Sequence, residues 1–303
     1  MVPQCDAVTR RGFLASSSAA AVAVSTQRLA AQPLRSPTAA KTVLIVVGPS
    51  DHPPGTHEVA ASARLLQYAL DHAELPATIE ARVSEGWPAG TELLDRVDTV
   101  LFIGDRFPLA VMPDADKTMA DMSQMVERGC GVVCVHYATG LEAAHVTADG
   151  DHPLLRWTGG YFATRCNHHQ SIARVFKSAT IEPESNGHPA TRGVDEFTVH
   201  DEPYLNNYFG PGGMRANVVP LATAMLPPEK PERHVVAWAT ERADGGRGAG
   251  VVMPHFYRNW AVDPLRKLIV NTIVWSAGIE VPEGGVDTLL ADLAMFQPAA
   301  IEP

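Results

Sequence analysis

Hydrophobic positions along this chain follow two regimes. Between residues 41 and 135 they are regular. Lys41–Val47 (KTVLIVV) is a continuous β-branched run, the pattern of a strand covered on both faces. It stops at Gly48-Pro49-Ser50. Residues 58–70 place Val59, Ala63, Leu66 and Leu70 near a 3.6 spacing, which predicts an amphipathic helix. Residues 77–83 and 97–103 (VDTVLFI) predict two more strands, the second ending at Gly104-Asp105. Residues 115–128 predict a helix whose Met119, Met122, Met125 and Val126 form a core stripe rather than a ligand cluster, closed by Gly129. Residues 131–135 (GVVCV) predict a buried strand that ends at His136.

After residue 151 the regularity loosens. Residues 157–170, 187–208 and 245–260 are rich in Gly, Pro, His and aromatics, and loops of that length in a compact domain are usually functional. A short strand over 250–253, a closing helix over 263–277 and a tail with a short helix and Pro-containing disorder complete the expectation. The alternation of strands and helices predicts a single α/β domain, residues 41–286, with a doubly wound, mostly parallel sheet. In such a fold ligands bind beyond the carboxyl ends of the strands, here the loops 48–57, 104–107 and 136–140. Residues 287–303 form the tail.

The N-terminus changes the picture of where the protein works. Thr9-Arg10-Arg11-Gly12-Phe13-Leu14 pairs two arginines ahead of Phe-Leu, a mild apolar run follows over 14–24, and small residues then offer cleavage sites. Residues 1–31 are expected to be a twin-arginine export signal and 32–40 a linker, which places the protein in the periplasm or elsewhere outside the cytoplasm. The apolar run is too short for a transmembrane span, so no stable membrane insertion is expected. A net charge of -10 argues against nucleic acid and anionic membranes as partners. Cys130, Cys134 and Cys166 remain after signal removal, with no CxxC pair, and read as buried free thiols.

Candidate chemistry gathers around four histidines: His57 in DHPPGTHE, His136 in VCVHYATG, His169 in CNHHQ and His255 in MPHFYRNW. Glu58, Asp201, Glu202, Tyr137, Tyr204, Asn259 and Trp260 lie beside them in sequence. Imidazoles with carboxylates either bind a divalent metal, zinc being one choice, or move protons near neutral pH. Aromatic neighbours suit stacking on a sugar ring.

The chain resembles the ThuA-like family, named for trehalose utilisation. The matching pieces are VLIVVGPSDHPPGTHEVAASARLL, GVVCVHYATG, WTGGYFATRCNHH, HPATRGVDEFTVHDEPY and the stretch from Gly245 to Val286. In the family a Pro usually precedes the histidine of the central NPH-type loop, and here His168 stands there. The resemblance implies a flavodoxin-like fold similar to class I glutamine amidotransferases. In those enzymes a cysteine occupies the elbow after a central strand. Here the elbow residue is His136, and Cys134 sits inside the strand, so cysteine-based amidotransfer is not expected.

The family association implies sugars oxidised at C3 by a partner sugar dehydrogenase. A 3-keto group acidifies the C2 proton, and its removal leads to elimination, hydrolysis or isomerisation. A divalent metal on His57, His136 and His169 is expected to act as electrophile. His255, Glu58, Asp201 or Glu202 are the candidate acids and bases. Tyr137, Tyr204, Asn259 and Trp260 are expected to contact the sugar. A non-catalytic sugar-binding protein working beside a dehydrogenase is the alternative.

Overall fold

A computed structural model of the chain describes residues 40–289 and 291–303. The expected signal, residues 1–31, lies outside the described residues, as does the linker apart from Ala40. In chain order the first elements are β1 (Lys41–Val47), α1 (Val59–Asp71), β2 (Ile79–Glu85), α2 (Thr91–Leu94), β3 (Val97–Ile103), α3 (Pro108–Val111), α4 (Ala115–Glu127), β4 (Gly131–Val135) and β5 (Gly140–Glu142). They are followed by α5 (Pro153–Thr158), β6 (Phe162–Thr164), β7 (Phe176–Pro183), β8 (Phe197–Asp201), β9 (Val218–Leu226), β10 (Glu232–Glu241), β11 (Arg247–Val251) and α6 (Asp263–Ser276).

Nine strands form one sheet in the order β2-β1-β3-β4-β11-β10-β9-β7-β8. The first five are parallel. The last four continue from β11 as an antiparallel wing. A separate parallel pair joins β5 to β6. The doubly wound α/β domain expected from the sequence is therefore present. The antiparallel wing was not anticipated. Pro183 and Pro220 stand within β7 and β9, and proline inside a strand run reads as a break.

Alternation within the parallel strands sets the two layers. Val43, Ile45, Leu101 and Val133 face α1 and α6, packing with Leu66, Leu70, Ile269 and Ile273. Leu44, Val46, Phe102, Val132 and Cys134 face the other way, onto Met122, Met125 and Val126 of α4 and Leu154 of α5. The methionine stripe is thus core, as expected. Because α1 follows β1 on one face and α4 follows β3 on the other, the loops after these adjacent strands part, and a crevice opens between them.

The tail corrects the expectation of disorder. Tyr257 Oη donates to the Leu293 carbonyl at 3.0 Å, and Arg64 Nε donates to the Phe296 carbonyl at 3.0 Å. Arg258 pairs with Glu302 at 3.0 Å. Gly55, at φ 86°, lets Glu302 and Pro303 lie against the loop before α1; a Cβ there would meet the Glu302 carbonyl carbon at 2.6 Å.

Candidate functional site

The ends of β1, β3, β4 and β11 each deliver one side chain to the crevice. His57 follows β1, Asp105 follows β3, His136 follows β4 and His255 follows β11. The first and last of these loops are joined by a backbone bridge between Thr56 and Phe256. Both His57 (φ 44°) and His136 (φ 49°) hold the left-handed backbone conformation that side chains with a Cβ seldom adopt. Such strain collects where a side chain must be aimed.

His57, His136, His255 and Glu202 offer ligand atoms that all lie within 4.8 Å of one another. His57 Nε2 is 2.9 Å from His255 Nδ1 and 2.9 Å from His136 Nε2, and His136 Nε2 is 3.3 Å from His255 Nδ1. Outward hydrogen bonds define what these atoms are. His136 Nδ1 is 3.0 Å from the Val252 carbonyl oxygen, so Nδ1 carries the proton and Nε2 presents a lone pair. His57 Nδ1 donates to the Asp105 carboxylate, which leaves its Nε2 a lone pair as well. Burial lowers the pKa of all three rings, that of His255 to about 3. They are therefore neutral near pH 7, and no proton is available between His57 and His136. Two lone pairs at 2.9 Å repel unless a cation stands between them.

A tetrahedral zinc with bonds of about 2.0–2.1 Å sets its nitrogens about 3.3 Å apart, close to the spacing seen. Glu202 Oε2, 3.4 Å from His255 Nδ1, completes three nitrogens and one oxygen. Burial pushes the Glu202 pKa up to about 7, so its carboxylate gains from a cation. Asp105 stands where the carboxylate behind a metal-ligating histidine would stand, orienting the His57 ring and raising its basicity. The donor set fits a divalent transition metal.

Around this cluster lie further polar and aromatic groups. Asp105 also holds His52 Nδ1 at 2.6 Å, and its own pKa sits well below the usual carboxylate range because of its two histidine partners, despite its burial. His52 has a raised pKa, chiefly from that hydrogen bond. Tyr204 stacks on His136 at 4.6 Å between centroids, with its hydroxyl oxygen 3.1 Å from His136 Nε2. An open cleft of about 330 Å³ abuts the cluster, lined by His52, Tyr137, Thr164, Arg165, Glu202 and Tyr204 among others.

Several expected site residues are placed differently. His169 does not join His57 and His136: its Nε2 bonds the Asn206 carbonyl at 2.7 Å and its ring packs on Tyr208. Its place is taken by His255. His168 bonds Tyr161 Oη at 2.8 Å. Glu58 is no base, since its carboxylate accepts from the backbone N–H groups of Gly55, Ala299 and Ala300. Asp201 is buried and accepts from the N–H groups of His255 and Phe256, so it shapes the His255 loop. Trp260 is a core residue bonded to Ser62, and Asn259 bonds the His200 carbonyl. Neither lines the cleft. Tyr137 and Tyr204 do. Asp105 and His52 were missed as functional residues. Their signal was position: Asp105 begins the one strand-end loop without histidine, and His52 shares the DHPPGTHE loop with His57.

The thiols are inert. Cys130, Cys134 and Cys166 are free and buried, and burial raises each pKa, that of Cys130 to about 12. Among the described residues no helix is long and apolar enough to cross a membrane.

No curated protein matches the chain. Solved structures similar to it include two ThuA-like proteins. A ThuA-like protein from Bacteroides uniformis aligns with a TM-score of 0.53 and 16% identity, covering 78% of this chain and 91% of its own. A ThuA-like protein from Parabacteroides merdae aligns with a TM-score of 0.52 and 15% identity, covering 83% of this chain and 98% of its own. At these identities the likeness concerns the fold. The sequence itself matches the model of the family described as ThuA, trehalose utilisation, over residues 42–276, which is most of the chain and includes every member of the histidine cluster; the protein belongs to the ThuA family.

Proposed function

We propose that this protein is a carbohydrate-active enzyme that removes a proton from the carbon beside a sugar carbonyl, with a divalent metal held by His57, His136, His255 and Glu202. The convergence of three neutral imidazole lone pairs, two of them fixed by outward hydrogen bonds, carries this reading. A metal bound there supplies a Lewis acid for the oxyanion that forms when a ketone loses its neighbouring proton.

The chain's own residues divide the remaining work. His52, with Nδ1 tied to Asp105, keeps Nε2 for proton exchange, and its raised pKa suits it to both accepting and returning a proton. Tyr137 offers the cleft a half-buried aromatic ring for a sugar face. Tyr204, fully buried between His136 and Phe162, backs the cluster and excludes water from it. The substrate in this reading is a 3-keto-glycoside, which requires an oxidising partner such as a sugar dehydrogenase. The work takes place outside the cytoplasm, after export by the twin-arginine route.

The test is exchange at C2. Metal-replete protein is incubated with a 3-keto-glycoside in D2O and the C2 proton is followed by NMR. Wild type is expected to replace it with deuterium, and His52→Ala to slow the exchange by about 10²-fold or more. Sugar binding without any exchange by wild type would leave the accessory sugar-binding protein as the better reading.

A further inference from the structure

Arg165 stands apart from the other arginines of the molecule. Among the described residues every other arginine has an intramolecular partner. Arg165 has none, and it lines the cleft beside the histidine cluster. Its backbone is left-handed, with φ 51°, a conformation unfavourable for a residue with a long side chain. Cys166, buried immediately after it, anchors the turn. A solvated surface arginine gains nothing from a strained backbone. An arginine aimed at a ligand does.

The surroundings narrow the ligand. Gln170 also belongs to the cleft wall, and its side-chain amide is likewise without a partner among the described residues. Thr164 adds a hydroxyl, 3.4 Å from that of Tyr137. Of the other charged groups lining the cleft, His52 pairs with Asp105, and Glu202 turns toward His255. One uncompensated guanidinium with one amide matches a planar, singly charged group that accepts two parallel N–H bonds. A phosphate dianion is ordinarily met by several cations or by a helix N-terminus, and this wall offers neither.

We infer that the substrate of the cleft is an acidic sugar, a hexuronate or similar sugar acid, whose carboxylate is received by Arg165 while its ring lies toward the histidine cluster. This deepens the proposed function and rests on its placing of the sugar in the cleft. It also fits the charge of the molecule. In a chain of net charge -10, an anion approaches against the overall field and needs a specific local cation.

The experiment is a calorimetric titration of the full mature protein, with its metal content measured, using glucuronate, glucose and glucose 6-phosphate as probes. Wild type, Arg165→Lys and Arg165→Gln are compared. Wild type is expected to bind glucuronate at least about tenfold tighter than glucose, the value of one charge-assisted contact. Arg165→Gln is expected to level the two, and Arg165→Lys to keep part of the difference because it keeps the charge without the fork. Unchanged melting temperatures confirm that the exposed substitutions leave the fold intact. Equal affinities in wild type, tightest binding of glucose 6-phosphate, no binding of glucuronate, or a preference that survives Arg165→Gln each overturn the inference. Because the readout is binding, a failure of C2 exchange leaves the acid preference standing, and a lost preference leaves the exchange standing.

Discussion

The parallel half of the sheet and its antiparallel wing do different work. In the parallel half, β1, β3, β4 and β11 end side by side; His57, His136 and His255 bring their ring nitrogens within the width of an ion's coordination shell, and Asp105 stands behind His57. Neighbouring parallel strands hydrogen-bond along their length, so the positions of their ends are rigidly related. The wing reaches the site through loops. Glu202 and Tyr204 follow β8; outside both halves of the sheet, Thr164 ends β6 of the separate pair and Arg165 follows it. Those loops line the cleft. Rigid strand ends thus hold the three histidines, and the longer loops border the cleft beside them.

That division is broken or sharpened most severely by exchanging one histidine from the strand ends and one from the loops. His255→Ala removes a nitrogen from the parallel-half cluster and is expected to lower metal affinity by more than about 10²-fold, with activity lost in step. His169→Ala, in the loop between β6 and β7, is expected to leave metal content and activity unchanged. Metal analysis of both purified variants decides the matter. Full metal in His255→Ala, or loss of metal in His169→Ala, contradicts the assignment.

A smaller effect is expected from Asp105→Asn. The amide no longer accepts strongly from His57 Nδ1 and His52 Nδ1, so His57 loses its fixed tautomer and His52 its raised pKa. A drop in metal affinity of about 10–100-fold is expected, as for other carboxylates behind a metal-bound imidazole. Metal binding equal to wild type would show that the backbone alone orients His57.

The smallest effect concerns acid stability away from the cluster. His152 and His188 each use Nδ1 to accept a backbone N–H at the start of a short helix, from Leu154 and Ala190. An accepting ring must be unprotonated, and burial lowers both pKa values from 6.5 to about 4. Between those values the unfolded chain binds more protons than the folded one. Stability is therefore fully present above about pH 6.5 and falls as the pH drops toward 4. For His152, which is 8% exposed, the loss is on the order of 2–3 kcal/mol. His152→Asn keeps a cap acceptor without the titration and is expected to flatten the decline in melting temperature across this range. An unchanged slope would place the acid sensitivity elsewhere.

The pattern of residues alone determined the regular part of this protein. The strands 97–103 and 131–135 were legible to the residue, because a run of β-branched side chains buried on both faces is a local signal. The helices over 115–127 and 263–276 were legible for the same kind of reason, in the 3.6-residue spacing of their apolar positions. His57 and His136 could be singled out because they follow such strands. What followed residue 151 was less readable, since prolines interrupt β7 and β9 and their partners are distant in sequence.

Only the tertiary structure decided which residues share a site. His57 and His136 lie 79 positions apart, and His57 and His255 lie 198 apart. No local spacing encodes such a meeting; it depends on β11 inserting beside β4. That insertion favours His255 over His169 and turns Asp201 into a brace for the His255 loop. The pairing of β1 with β3 commits Asp105 to two histidines, and the packing of the tail commits Glu58 to three backbone amides. The sequence names the candidate groups, because side-chain chemistry is a property of each residue. Their roles come from distances and burial, which exist only once the sheet has closed the long intervals between them.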